Sequence, residues 1–164
     1  MQHTISVLMN NHFGVLSRIS GLFSGRGFNI ESLNVAETSD SNISRMTIVT
    51  IGDKAKIEQI TKQLNKLVDV IKVVDLTEEN FVDREMVLIK MNAEARVREE
   101  MLRIVDLFRA KVVDVSSSTY TIEITGDEGK INSFLELLNP LGIKEIVRSG
   151  RIAIGRGNKS LTTN

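Results

Sequence analysis

The chain has 164 residues with 21 Lys plus Arg and 21 Asp plus Glu, a formal net charge of zero, so nothing in its charge favours nucleic acid or an anionic membrane. It contains no cysteine, which excludes disulfides, thiolate catalysis and cysteine–zinc sites, and only His3 and His12 could supply imidazole. Aromatic residues make up 4% of the chain without a single Trp, so stacking surfaces for bases or sugars are scarce. There is no charged-then-apolar leader and no apolar run near the ~20 residues of a membrane span, which sets the expectation of a cytoplasmic protein.

In chain order, Ile5 to Met9 predicts a strand. Val15, Leu16, Ile19, Leu22 and Phe23 then share one stripe of a helix that stops at Gly25-Arg26-Gly27. Asn29 to Thr38 is extended, Ser39 to Asn42 is a turn by composition, and Arg45 to Ile51 is the return strand of a hairpin. Gly52-Asp53 breaks the chain before a helix marked by Ile57, Ile60, Leu64, Leu67 and Val68, and Val70 to Leu76 closes the unit as a strand. The order is β-α-β-β-α-β, the split βαβ of ferredoxin-like folds.

The second half repeats that order. Met86 to Met91 predicts a buried strand; Val97, Met101, Ile104 and Phe108 a helix; Val112 to Val115 and Tyr120 to Thr125 two strands; Ile131 to Leu138 a helix ended by Pro140. Ile143 to Val147 and Arg151 to Ile154 are extended. The fold class is therefore α+β, two tandem ferredoxin-like βαββαβ domains. The expected boundaries are 1–77 for the first domain, 78–84 for a polar linker, 85–158 for the second domain and 159–164 for a flexible tail. A unit of this size buries only roughly 60% of its unfolded surface, so association of halves or of two chains is expected. Arg148, Arg151 and Arg156 read as a solvated strand edge, and His3 as inert.

The turn from the first strand into the first helix carries the chemistry. The layout predicts two side-chain amides, Asn11 and Asn29, beside the N-terminus of a helix that opens at Gly14. Free N–H groups at a helix start attract a carboxylate, and a glycine there lets a ligand approach closely. No nucleophile, paired acid and base, or metal-ligand cluster lies nearby, so the residues suit holding a small zwitterion, with no catalytic and no metal-binding residues expected. Gly25-Arg26-Gly27 and Gly155-Arg156-Gly157 lack the helix-opening third glycine of a dinucleotide loop.

Residues 4–76 resemble an ACT domain, the amino-acid-sensing module of metabolic enzymes. Ser6 to Asn11, Gly14 to Leu33, Ser44 to Ile48, Gln63 to Val70, Phe108-Arg109, Val112 to Val115 and Val147 to Gly150 together resemble one family, the small regulatory subunit of acetohydroxyacid (acetolactate) synthase. The resemblance implies a separate, large catalytic subunit using thiamine diphosphate, Mg²⁺ and usually FAD, with no cofactor in this chain. It implies that the small subunit activates that partner and confers feedback inhibition by valine, bound between the ACT domains of a homodimer. Carried onto this sequence, Asn11, Gly14, Val15 and Leu16 form one wall, and Asn29 and Ile30 of the neighbouring chain the other, with His12 and Phe13 as pocket neighbours. The sequence departs from the family pattern at Asn10, Phe13 and Phe28, of which Phe13 borders the pocket.

Three other readings compete. A nucleic-acid-binding ferredoxin-like module needs basic charge and an aromatic RNP pattern that are absent here. An acylphosphatase-type enzyme needs an anion-cradling loop with a committed Arg. The third is a stand-alone ACT-type amino-acid sensor regulating another metabolic enzyme.

Overall fold

The computed structural model describes residues 1–163 and contains two antiparallel sheets, each backed by helices. In the first half the elements are β1 (Gln2–Asn10), α1 (Val15–Gly25), β2 (Ile30–Glu37), β3 (Ile43–Ile51), α2 (Lys54–Leu64) and β4 (Val70–Asp75), with strand order β2-β3-β1-β4. The second half has β5 (Phe81–Asn92), α3 (Ala95–Leu107), β6 (Lys111–Val115), β7 (Thr119–Gly126), α4 (Glu128–Leu138), a single 3₁₀ turn (Asn139–Leu141), β8 (Ile143–Arg148) and β9 (Ile152–Gly155). Its order is β6-β7-β5-β8, with β9 also pairing β5. The two tandem α+β units share the βαββαβ order, and the repeat extends to its irregularities. The β1–β4 ladder slips at Leu8/Met9 and β5–β8 at Lys90/Met91; β2–β3 slips at Ile30/Ser32 and β6–β7 at Val112/Asp114.

Local chemistry places the helices. Asp53 and Asp127 cap α2 and α4, their carboxylates accepting from the amides of Lys56 (2.8 Å) and Lys130 (2.9 Å). Pro140 ends α4 and Gly142 turns the chain at φ +99°. Val15, Ile19 and Phe23 of α1 and Ile57, Ile60 and Leu64 of α2 pack on Ile5, Val7, Met9, Met46 and Ile48 of the sheet. Phe23 also meets Phe28 edge to face, ring centroids 6.1 Å apart. The second core repeats the plan with Val87, Ile89, Met91, Met101, Ile104, Ile122, Ile124, Ile131 and Phe134.

Several expectations are corrected. α2 stops at Leu64, so Val68 is not on its buried stripe and stands 95% exposed. Met86 and Leu88 are exposed while Val87, Ile89 and Met91 are buried: an apolar run in a sheet covered by helices on one side still alternates. The 78–84 linker shrinks to a turn, because Glu79 N–H donates to Leu76 O (2.9 Å) and β5 already begins at Phe81.

The larger difference is at the C-terminus. The chain forms two compact units, Met1–Val82 joined by the segment from Arg151 onward, and Asp83–Gly150. Residues 151–158 thus leave the domain in which their sequence position places them. The Arg151 amide donates to Ser32 Oγ (3.0 Å), Arg45 Nη2 donates to Ala153 O (2.9 Å), and the Arg156 amide and side chain donate to Asn80 O (2.9 Å) and Phe81 O (3.2 Å). Arg151 Nη1 reaches Thr4 Oγ1 at 3.3 Å in a part-buried place, so it leaves the solvated edge, whereas Arg148 stays exposed on edge strand β8, where both oxygens of Glu85 accept from it (2.9 and 2.6 Å). The expected tail is also engaged, Lys159 pairing with Glu79 at 3.2 Å; Asn164, its last residue, lies outside the described residues. His3 is buried with Nδ1 3.0 Å from Asp75 Oδ2, a structural place in the sheet.

The core and the caps make different demands. Phe23→Ala is expected to lower unfolding free energy by about 3–5 kcal/mol, and Asp53→Ala by about 1 kcal/mol. Urea denaturation followed by circular dichroism checks both; a Phe23→Ala loss below that of Asp53→Ala would remove Phe23 from the core.

Candidate functional site

The turn after β1 is held by backbone and amide bonds. The Asn11 N–H donates to Asn42 O (2.7 Å) and Asn11 Nδ2 donates to Ser41 O (2.9 Å), tying the β1–α1 turn to the β2–β3 turn. With Nδ2 so engaged, Oδ1 is the free acceptor of the Asn11 amide, suited to an ammonium more than to a carboxylate. Gly14 then opens α1 at φ +83°, a left-handed conformation that glycine adopts without strain, with nothing within 4 Å of where a Cβ would sit. No side chain caps this helix and no acidic residue lies in its first turn. Among the described residues the amides of Gly14, Leu16 and Ser17 meet no acceptor, and that of Val15 makes only a 3.4 Å turn bond to His12 O. An uncapped, approachable helix start with unspent donors is an anion seat.

The side chains around it divide. Val15 is buried in the core, so only its backbone can serve the site. Leu16 is 43% exposed, His12 is exposed, and Phe13 is fully exposed at 103%. A wholly exposed phenyl ring beside an apolar helix turn marks surface that association could cover.

Asn29 and Ile30 lie elsewhere. Asn29 O accepts from buried Thr50 Oγ1 (2.6 Å), and its Nδ2 donates to Glu31 Oε1 (2.6 Å). Ile30 packs partly against the first core. Register places Ile30 opposite Thr50 and Thr50 opposite His3, whereas Asn10 ends the same strand seven residues on, on the order of 23 Å away. One chain therefore brings Asn11, Gly14, Val15 and Leu16 together at one end of the sheet and keeps Asn29 and Ile30 at the other. Glu31, not singled out from the sequence, is among the described residues the one carboxylate bonded to these candidates. The need of an ammonium for an anion was the signal that could have found it.

Comparison with known proteins gives the arrangement its family. Residues 5–72 match the family described as the AHAS small subunit-like ACT domain, and residues 84–157 the one described as the small subunit of acetolactate synthase. The acetolactate synthase small subunit of Aquifex aeolicus is 54% identical over 94% of this chain and 81% of its own length. The chain belongs to the acetolactate synthase small-subunit family. A probable small subunit from Archaeoglobus fulgidus is 50% identical, covering 97% of this chain and 99% of its own. The crystal structure of the small subunit from Thermotoga maritima superposes with a TM-score of 0.88 at 41% identity, over 97% of this chain and 99% of that one. Within this small-subunit family residues 5–72 are the ACT domain, and the uncapped start of α1 lies in it. Among the described residues no group of three or more His, Asp or Glu is placed to hold a metal ion, and no helix is long and apolar enough to cross a membrane.

Two glycines of α1 test this geometry by sign. Gly14→Ala meets no atom but must hold a positive φ, and is expected to destabilise by about 1 kcal/mol or more. Gly21→Ala, in the helix interior with open space around it, is expected to stabilise by about 0.5–1 kcal/mol. Denaturation midpoints shifting in the same direction would show that α1 does not begin at Gly14.

Proposed function

We propose that this chain is the regulatory subunit of a cytoplasmic acetolactate synthase in branched-chain amino-acid biosynthesis: it activates a large catalytic subunit that carries thiamine diphosphate, Mg²⁺ and FAD, and confers feedback inhibition by valine. The observation that carries the effector reading is the separation of the two half-sites on one ACT domain. β2 is an edge strand with Leu33 partly exposed, and an edge invites a second copy. Two β2 edges meeting about a two-fold axis run antiparallel, so the Asn29–Ile30 end of one copy comes level with the Asn11–Gly14 end of the other. Leu16, Phe13 and Leu33 would be covered in the same step. The amides of Gly14, Leu16 and Ser17 then receive the valine carboxylate, Asn11 Oδ1 and the partner's Glu31 face the ammonium, and the partner's Ile30 and Leu16 flank the isopropyl group. Hydrogen bonds to charged groups contribute about 1.5–3 kcal/mol each and burial of the isopropyl group about the same. After association costs this gives affinity on the order of µM to mM, suited to a metabolite pool. A sensor of another pathway would share the pocket, but the family match through residues 84–157 favours the synthase partner.

The shared site predicts a complementation pattern. Asn11→Ala and Asn29→Ala are each expected to lose most valine binding in calorimetry. An exchanged equimolar mixture is expected to regain about a quarter of the wild-type sites, because half of the dimers are mixed and each holds one intact site. A site within a single chain would regain none. For the regulatory role, adding the purified chain to the catalytic subunit is expected to raise acetolactate formation, and valine to reverse part of the gain. Activity that does not respond to the titration would refute the assignment.

A further inference from the structure

The face of the first sheet away from its helices carries a second polar feature. Alternation on β1 sends Ile5, Val7 and Met9 into the core and Thr4, Ser6 and Leu8 to the opposite face, yet these three are also buried. The segment from Arg151 reaches this face: Arg151 Nη1 meets Thr4 Oγ1 at 3.3 Å, and Arg45 joins Ser6 Oγ to Ala153 O. Register sets Leu8 opposite Arg45 on β3 and opposite Lys72 on β4, so one row across three strands reads Arg45–Leu8–Lys72. The next row holds Thr47, Ser6 and Val74. Between this face and the covering segment is a cavity of about 230 Å³ lined by Ser6, Arg45, Lys72, Val74, Leu76, Glu79, Gly155, Lys159, Ser160 and Leu161.

Its charge is unbalanced. Arg45 is held by neutral acceptors, Ser6 Oγ at 3.0 Å from Nε and Ala153 O at 2.9 Å from Nη2, and among the described residues no carboxylate pairs with it. Burial pushes this guanidinium below its ordinary range, the mark of a cation partly stripped of water. The Lys72 ammonium makes no hydrogen bond or ion pair among the described residues, and the one lining carboxylate, Glu79, is taken by Lys159 at 3.2 Å. Beside the cations the lining is apolar: Val74 follows Lys72 on the same face of β4, and Leu76 and Leu161 line the cavity with it.

We infer that this cavity binds a small aliphatic monocarboxylate without an ammonium group, its carboxylate between Arg45 and Lys72 and its chain against Val74, Leu76 and Leu161. Charge-assisted bonds from a guanidinium and an ammonium suit a carboxylate, and the excess of cations repels an amino acid's ammonium. The apolar wall has nothing to offer a bare inorganic anion. The cavity uses none of Asn11, Gly14 or Asn29, so it stands or falls independently of the valine site.

Isovalerate, inorganic phosphate and L-valine titrated into the full chain, followed by calorimetry, form the test. Isovalerate is expected to bind wild type and Asn11→Ala alike, and to bind Arg45→Gln and Lys72→Gln about tenfold or more weakly. Arg45 also holds Ala153, so Lys72→Gln, which breaks no bond of the fold, decides the matter where Arg45→Gln fails to fold. No isovalerate binding to wild type, equal binding to Lys72→Gln, or tighter binding of phosphate would overturn the inference. Loss of isovalerate binding in Asn11→Ala would overturn it as well, by assigning the acid to the turn after β1.

Discussion

The direction of the chain through the first βαβ governs what a single ACT domain can do. α1 carries the chain from the end of β1 back along the sheet, so β2 starts at the level where β1 starts and runs parallel to it, one strand removed. The donors at the start of α1 and the polar residues at the start of β2 are then fixed at opposite ends of the sheet by the same crossover that makes the fold. No side-chain rearrangement can close a gap of that size. The fold separates the two groups of candidate residues and leaves β2 as an open edge, and the two facts have one geometric cause. A two-fold operation is the simplest that joins the halves and covers the edge together.

The same sheet is buried on both sides along β1, which is unusual for an antiparallel sheet with helices on one face. Ser6 and Thr4 on its second face are tolerable there because the returning C-terminal segment brings partners: Arg45 spans Ser6 and Ala153, and Arg151 reaches Thr4. Arg45 holds two neutral oxygens and still has donors to spend, since a guanidinium carries five. A structural strap built from cations leaves an electropositive cavity as a by-product, and that surplus gives the cavity its ligand chemistry.

Much of this was legible in the residues. The stripe of Val15, Ile19 and Phe23, the hairpin around Ser39–Asn42, the break at Gly52-Asp53 before α2, and the stop at Pro140 are local signals, and each marks the element it belongs to. What escaped depends on neighbours distant in sequence. Met86 to Met91 reads as an unbroken apolar run, and nothing in it says that Met86 and Leu88 face outward. Arg151 to Ile154 reads as an extended end of the second repeat because the partners that hold it, Ser32 and Arg45, are more than a hundred residues away. At the candidate site the donors at Gly14 can be read from the helix start and the ammonium's need of an anion points to a carboxylate, while the register shows that Glu31 sits at the β2 bulge, bonded to Asn29.

The proposed valine site and the cavity meet through the backbone of two strands. Ser32, which accepts from the Arg151 amide, lies at the β2 bulge beside Ile30, and Arg45 is the register partner of Ala36 on that same strand. A shift of β2 as two copies close around an effector would move Ser32 and Ala36 together, and with them the strap and one wall of the cavity. Linkage then requires reciprocity: whatever a ligand in the cavity does to the position of β2, it does by an equal free energy to effector affinity. Coupling of only ~1–3 kcal/mol makes a useful switch. The C-terminal segment is thereby better understood as part of the ACT domain's mechanics than as an appendage of the second unit.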